Sequence, residues 1–359
     1  MEEAVQTAIL GITGYSGAEL ARLLMRHPRL KRKPPVFVGR LEAKDEARGG
    51  VPLDEIHPQF HTAFKAGHEM AVPRMQAFSW ELLEDLGVGV LFLATPHELS
   101  RQTVPEARKR GIRVIDLSGA WRLEEAANRA VYGFDDEGSA SALETQAGAV
   151  YGMPELHRAE IRGAGLVANP GCYATSVILA LKPLLSAGLV DLNCGIVCDS
   201  KSGVSGAGKA PVAKTHFMYA ADNLSAYAVF SHRHTGELLE QLGLDGKDLT
   251  FTPHLLPIPR GILSTIYVRF VEAQTNSSIQ ACYRDFYRDS PMVRLFGTTL
   301  PQIQYSVRTC YADIGFNMSG DGRRAVIVSC LDNLLKGAAG QAVQNLNVMQ
   351  GWGEAEGLE

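Results

Sequence analysis

The sequence predicts an α/β protein, with a doubly wound, mainly parallel sheet in the amino-terminal half and an α+β unit after it. Three observations carry this expectation. Apolar runs alternate with helical periods as far as residue 116, the first run leads straight into a glycine-rich turn, and the later runs are longer and rich in Val, Ile, Thr and Tyr. A chain of 359 residues exceeds one ordinary core and suits two domains. We expect an NADP-binding domain over 1–165, a catalytic and dimerisation domain over 166–330, and a carboxyl-terminal helix over 331–359 that returns to the first domain.

In chain order, residues 4–12 form an apolar strand that enters Gly11-Ile12-Thr13-Gly14-Tyr15-Ser16-Gly17. Leu20, Ala21, Leu23 and Leu24 then recur at helical spacing until Pro28. Strand, glycine turn and helix are what a phosphate-binding turn needs, because glycines let backbone N–H groups approach a pyrophosphate at a helix mouth. The spacing G-x-x-G-x-x-G is a variant of the usual fingerprint. After the second strand, Val36-Phe37-Val38, comes Arg40, about 20 residues beyond the last glycine, where an NAD site usually carries an acid. An arginine there can pair with the 2′-phosphate of NADP, so NADP(H) is the expected cofactor.

Residues 88–94 read as a central strand buried on both faces, followed by a helix over 100–110 and a strand over 113–116. Thr95, Pro96 and Ser118 stand at the carboxyl ends of such strands, where ligands bind in doubly wound sheets. His97 could touch the cofactor, but a satisfied polar turn histidine is the expected reading. Residues 124–148 show no clear period and are expected as a surface excursion. Strands are further expected over 249–256, 261–270, 305–313 and 324–330, a helix over 278–288, and an amphipathic helix over 332–349.

Between these halves lies Val167-Ala168-Asn169-Pro170-Gly171-Cys172-Tyr173-Ala174-Thr175. A short strand precedes it, a helix over 174–187 follows, and Pro170 and Gly171 make the corner. Cys172 thus stands at a helix mouth, where the peptide dipole and free N–H groups favour a thiolate and can hold an oxyanion. The loop Lys201-Ser202-Gly203-Val204-Ser205-Gly206-Ala207-Gly208-Lys209 joins backbone donors to two lysines and reads as an anion cradle. His232 and His234 are spaced i, i+2, and a histidine serving a thiol as acid and base needs less assembly than a metal site.

Composition excludes several classes. An apolar fraction of 46% with 21% charged residues is that of a soluble globular protein, and a net charge of −4 offers no general attraction to nucleic acid or anionic membrane. No apolar run approaches the roughly 18 residues of a membrane span. The start Met1-Glu2-Glu3 is unlike a signal peptide, so a cytoplasmic location is expected. The six cysteines include the C-x3-C pair Cys194 and Cys198, but no second Cys or His pair lies near it, so no metal is expected.

These motifs together resemble the N-acetyl-gamma-glutamyl-phosphate reductases, NADPH-dependent enzymes of arginine biosynthesis, across almost the whole chain. Similar blocks include the glycine turn with Glu19-Leu20, Val114-Ile115-Asp116-Leu117-Ser118, Tyr151-Gly152-Met153-Pro154-Glu155-Leu156, the Cys172 corner, the 201–208 loop and His232-Arg233-His234. Pro253-His254-Leu255-Leu256-Pro257 with Arg260-Gly261, and 332–345, complete the series. The resemblance implies a Rossmann-type first domain and a second domain of the semialdehyde dehydrogenase type, assembled as a homodimer or homotetramer. It implies that Cys172 attacks an acyl phosphate, that hydride then reduces the thioester to a semialdehyde, and that His232 or His234 moves the proton. The cofactor is expected at Gly11, Thr13, Gly14, Tyr15, Ser16, Gly17, Arg40, Thr95, Pro96, Ser118, Ser202 and Gly203. Arg122, Glu155, Asn169, Lys201 and Arg260 are expected at the substrate, with Ser202 also a candidate there. Gly236, Trp121 and Cys310 depart from the family's usual residues. A one-carbon-longer aminoadipyl phosphate, aspartate-semialdehyde dehydrogenase chemistry, or a non-catalytic NADP-binding redox sensor are the alternatives.

Overall fold

The computed structural model describes residues 5–61, 72–134 and 140–359. Eight strands form the first sheet: β1 (Gln6–Leu10), β2 (Val36–Gly39), β3 (Val51–Pro52), β4 (Arg74–Ala77), β5 (Val88–Leu93), β6 (Arg113–Asp116), β7 (Ala149–Tyr151) and β8 (Leu166–Ala168). Their order is β3-β4-β2-β1-β5-β6-β8-β7, parallel throughout except at β3–β4. Strand order reverses direction between β1 and β5, so their carboxyl ends flank a crevice. The apolar runs are buried because both faces are covered. The helices Tyr15–Arg26 and Gly340–Met349 pack one side and His97–Lys109 the other.

The second sheet contains β9 (Ile196–Gly203), β10 (Ser225–Ala226), β11 (Leu249–Leu256), β12 (Ile262–Arg269), β13 (Val293–Gly297), β14 (Ala312–Met318) and β15 (Arg324–Leu331), ordered β10-β11-β9-β12-β15-β14-β13. It is mixed: β9–β11 and β13–β14 are parallel and the other pairs antiparallel. Burial alternates strictly along β11, as expected of a sheet with one covered face. The cover is the helix Cys172–Ser186, whose Ala174, Val177, Ile178 and Leu181 share a core with Ile262, Ile266 and Ile327. No helix among the described residues is long and apolar enough to cross a membrane.

Four expectations change. β8 pairs with β6 and β7, so the first sheet extends to Ala168, beyond the residue 165 expected as the end of the first domain. The strand expected over 305–313 begins only at Ala312, as β14: Ile303–Ser306 is a helical turn, and Arg308 adopts a left-handed φ of 66°. The buried Asp332 carboxylate accepts the Arg308 N–H at 2.7 Å, holding the reversal that an extended chain cannot make. The 332–349 stretch is a π-helical turn, Leu335–Ala339, running into Gly340–Met349, and every residue of the latter is buried. Its amides are therefore interior: Asn345 Nδ2 donates to the Gly152 carbonyl at 2.8 Å, and Asn347 Oδ1 lies 3.0 Å from His27 Nε2. Within 124–148 the described part contains the helices Ala126–Arg129 and Ala140–Ala147.

Candidate active site

The glycine turn at the end of β1 is dictated by close packing and by space. Gly11 has φ +105°, and a Cβ there would lie 2.4 Å from the Ala94 carbonyl oxygen; a Cβ on Gly17 would lie 2.2 Å from the Gly11 oxygen. Gly14 differs, because a Cβ there would meet nothing nearer than 3.9 Å. It begins the helix Tyr15–Arg26, which no side chain caps, so free N–H groups face an open cleft. Gly14, Tyr15, Ser16 and Gly17 line that cleft with Thr95, Pro96 and Ser118. Ser118 is pinned by the buried Asp116, whose Oδ1 accepts its N–H at 3.0 Å and whose Oδ2 accepts its hydroxyl at 2.7 Å. From the second domain Lys209 Nζ donates to the Thr13 carbonyl at 3.2 Å, and Ser205, Gly206 and Gly208 join the same wall. The turn and loop thus form one cradle whose free donors suit a dinucleotide phosphate. Arg40 is exposed beyond β2, outside this wall, and has no ion-pair partner among the described residues.

Across the cleft Cys172 opens the helix Cys172–Ser186, with Gly171 as its N-cap and again no side-chain cap. A Cβ on Gly337 would lie 2.7 Å from the Cys172 Cβ, so the π-helical turn presses against the base of that side chain. Cys172 borders both the cleft and a second cavity of about 640 Å³. Burial pushes its thiol up to about 11, against the Tyr173 N–H and the positive Arg122 and Arg233, which pull it down. This direction runs against the ready thiolate that the helix mouth leads one to expect. At this helix mouth desolvation outweighs the dipole and its N–H groups.

His232 and His234 lie on a turn before the helix Thr235–Leu242, not on a strand. The His234 N–H donates to His232 Nδ1 at 3.1 Å, and the rings stand 4.7 Å apart at 87°. His234 is buried, and its Nδ1 has no hydrogen-bond partner among the described residues. Burial, then the neighbouring His232, Arg122 and Arg233, push it well below the usual imidazole value, leaving a neutral base at physiological pH. Burial, with Arg233 and Lys214 nearby, brings His232 to about 4. His234 borders both spaces that Cys172 borders, whereas His232 borders only the second.

Beneath them is a hub the motifs did not reveal. The fully buried Glu237 takes the Gly171 N–H at 2.8 Å and the Tyr151 hydroxyl at 2.7 Å on Oε2, and Arg122 Nη1 at 3.1 Å on Oε1. His234 Nε2 lies 4.0 Å from Oε1. One carboxylate therefore ties the Cys172 corner, a guanidinium and the imidazole together. Its sequence signal is the i, i+3 spacing from His234, which puts both on one face of a helical turn.

Other expected substrate residues sit elsewhere. Glu155 is buried against Lys336 Nζ at 2.6 Å, also shared with Gln344, and clamps the helices Pro154–Gly163 and Gly340–Met349. Arg260 joins Glu19 at 2.6 Å and Asp332 at 3.0 Å, fastening the second unit to the helix of the glycine turn. Asn169 donates to the Ala338 carbonyl at 3.1 Å and accepts from Asn345 at 3.0 Å. Lys201 reaches the Asp199 carbonyl at 3.1 Å and lines neither space. Ser202 and Gly203, expected at the cofactor, line the second cavity instead. Gly11 and Thr13 are not part of the cleft's lining, and Arg122 alone of the expected substrate residues faces the cleft. The departures are structural. Trp121 is buried with Nε1 donating to Ser100 at 3.0 Å, a Cβ on Gly236 would lie 2.9 Å from the Asn128 Cβ, and Cys310 Sγ packs under Gly340. Among the described residues no group of three or more His, Cys, Asp or Glu is placed to hold a metal ion.

Residues 6–164 match the family model described as semialdehyde dehydrogenase, NAD binding domain, and residues 172–333 that described as semialdehyde dehydrogenase, dimerisation domain. The chain is 41% identical to the N-acetyl-gamma-glutamyl-phosphate reductase of Pelotomaculum thermopropionicum, over 99% of this chain and 98% of that one. It is 39% identical to the protein of the same name from Methanococcus maripaludis, over 98% and 97%. Among solved structures it is similar to aspartate semialdehyde dehydrogenase II from Vibrio cholerae, with TM-score 0.66, 18% identity and coverage of 97% and 98%. Aspartate semialdehyde dehydrogenase with NADP from Candida albicans gives TM-score 0.67 at 14% identity, covering 97% and 99%. The last two are likenesses of fold.

Proposed function

The chain belongs to the N-acetyl-gamma-glutamyl-phosphate reductase family of semialdehyde dehydrogenases, and from that membership we propose that it reduces N-acetyl-L-glutamyl 5-phosphate to N-acetyl-L-glutamate 5-semialdehyde and phosphate. The observation that carries the mechanism is that Cys172 and His234 border one space with the uncapped glycine turn. Neutral His234 takes the thiol proton as Sγ bonds to the acyl carbon. The C–O bond to phosphate breaks, and phosphate leaves with the electron pair, giving a Cys172 thioester. The N–H groups at the mouth of Cys172–Ser186 steady the oxyanion formed on that carbon. Gly14, Tyr15, Ser16 and Gly17 would hold NADPH, which when bound would supply the hydride for reduction of the thioester. His234 returns a proton while the C–S bond breaks, releasing aldehyde and restoring the thiol.

Glu237 orients this apparatus through Gly171, and Arg122 lies where it can meet the departing phosphate. Arg40, exposed just past β2, would meet the cofactor's 2′-phosphate. The units act as a cofactor-binding domain, a catalytic domain and a returning carboxyl-terminal helix. Two or four copies assemble through the second domain, whose outward sheet face exposes the paired Val197 and Tyr267. A cytoplasmic location accords with this biosynthetic role. The test is optical: enzyme, N-acetylglutamate semialdehyde, phosphate and NADP should give phosphate-dependent NADP reduction. Cofactor binding with no turnover would instead favour a redox sensor.

A further inference from the structure

The second cavity has a charge that the reaction centre does not use. Cys172, Tyr173, Lys214, Tyr227, Arg233 and His234 are on its wall, and no Asp or Glu is among its described lining residues. Neither Lys214 nor Arg233 has a carboxylate partner among the described residues. Lys214 instead places its ammonium 5.0 Å from the centroid of the Tyr227 ring, and the Tyr227 hydroxyl donates to the Tyr173 hydroxyl at 3.4 Å. Tyr173 follows Cys172 directly and is itself fixed by donating to the His254 carbonyl at 2.8 Å. A run of aromatic contacts thus sets the ammonium relative to the sulfur. At about 640 Å³ the cavity has the size of a small-ligand site. Lys214 and Arg233 are exposed at its wall without a carboxylate partner among the described residues, an arrangement that suits an anion.

The cations are not equivalent. Arg233 borders both spaces and acts on the charge of Cys172, whereas Lys214 borders only the second cavity and acts on His232. The cleft on the other side of Cys172 is taken by the glycine turn and its cofactor, so the remainder of an acyl group bound to sulfur must run into the second cavity. We propose that Lys214, set by Tyr227, receives the α-carboxylate at the far end of the acyl substrate and so determines the chain length that is reduced. This inference rests on the function proposed above. The near end of the substrate falls to Arg233, and the methylenes between reacting carbon and carboxylate span the gap between the two cations.

The experiment compares wild type, Lys214→Met and Lys214→Arg in NADP reduction with phosphate and three aldehydes: N-acetylglutamate semialdehyde, its one-carbon-longer aminoadipate homologue, and 4-acetamidobutanal, which lacks the carboxylate. Wild type should favour the first. Lys214→Met should raise KM for it by about 10- to 100-fold with kcat nearly unchanged, leave 4-acetamidobutanal unaffected, and lose discrimination against the longer homologue. Lys214→Arg should recover most of the affinity. A KM within twofold of wild type in Lys214→Met, or an equal loss for all three aldehydes, overturns the assignment while the parent reaction stands. Wild type that reduces no NADP with either carboxylated aldehyde overturns both.

Discussion

Two buried acid–base pairs, about equally hidden, do different things. Arg122–Glu237 lies under the Cys172 corner and Lys336–Glu155 under the π-helical turn. The second is walled in by Pro154–Gly163 and Gly340–Met349, and its lysine is spent on Glu155 and Gln344. The first opens on space: Arg122 lines the cleft with Nε unpartnered among the described residues, and Glu237 reaches the backbone beside the nucleophile. Burial of charge alone therefore does not mark a site. The difference is whether a buried pair borders a cavity with donors left over.

The largest expected effect tests the open region. Cys172→Ser should lower turnover by about 1,000-fold or more, because the hydroxyl is a far poorer nucleophile, while the melting temperature stays near wild type. Retention of turnover would remove the reaction centre from this corner. Next, the two carboxylates can be set against each other. Glu155→Gln strands a buried ammonium and should reduce unfolding free energy in urea by about 3–5 kcal/mol, with kcat of the folded fraction little changed. Glu237→Gln should reduce kcat by about 100-fold, and equal kinetic effects at both positions would erase the contrast. Smaller in amplitude is the pH dependence of alkylation. A raised thiol is protonated below its pKa, so iodoacetamide modification of Cys172, followed by mass spectrometry, should be slow at pH 7 and climb toward pH 11. A plateau below pH 8 would show that the helix mouth prevails over burial. Last, Arg40→Ser should narrow the preference for NADPH over NADH by about 10-fold, read from the ratio of kcat/KM values.

Legibility followed the range of the interactions concerned. The glycine turn, the run 88–94 and the Cys172 corner rest on local rules of period, turn chemistry and helix opening, and the structure builds each where the residues indicate. Glu155, Asn169 and Arg260 stand in blocks shared with a family, but their partners Lys336, Asn345 and Asp332 come from chain segments far away in sequence. No local pattern reveals that such a charge is already paired. The strand expected over 305–313 begins only at Ala312 for the same reason, since a remote carboxylate holds Arg308 in its turn.

By itself the sequence determined the alternating α/β plan, the place of Cys172 at a helix mouth, and the family. Tertiary structure alone decided that His234, rather than His232, shares the cleft with both sulfur and glycine turn, that Glu237 holds the backbone of the corner, and that burial pushes the thiol up. Periodicity and turn preference act over a few residues and can be read in order. Desolvation and charge pairing depend on what lies across space, and only the folded chain sets that.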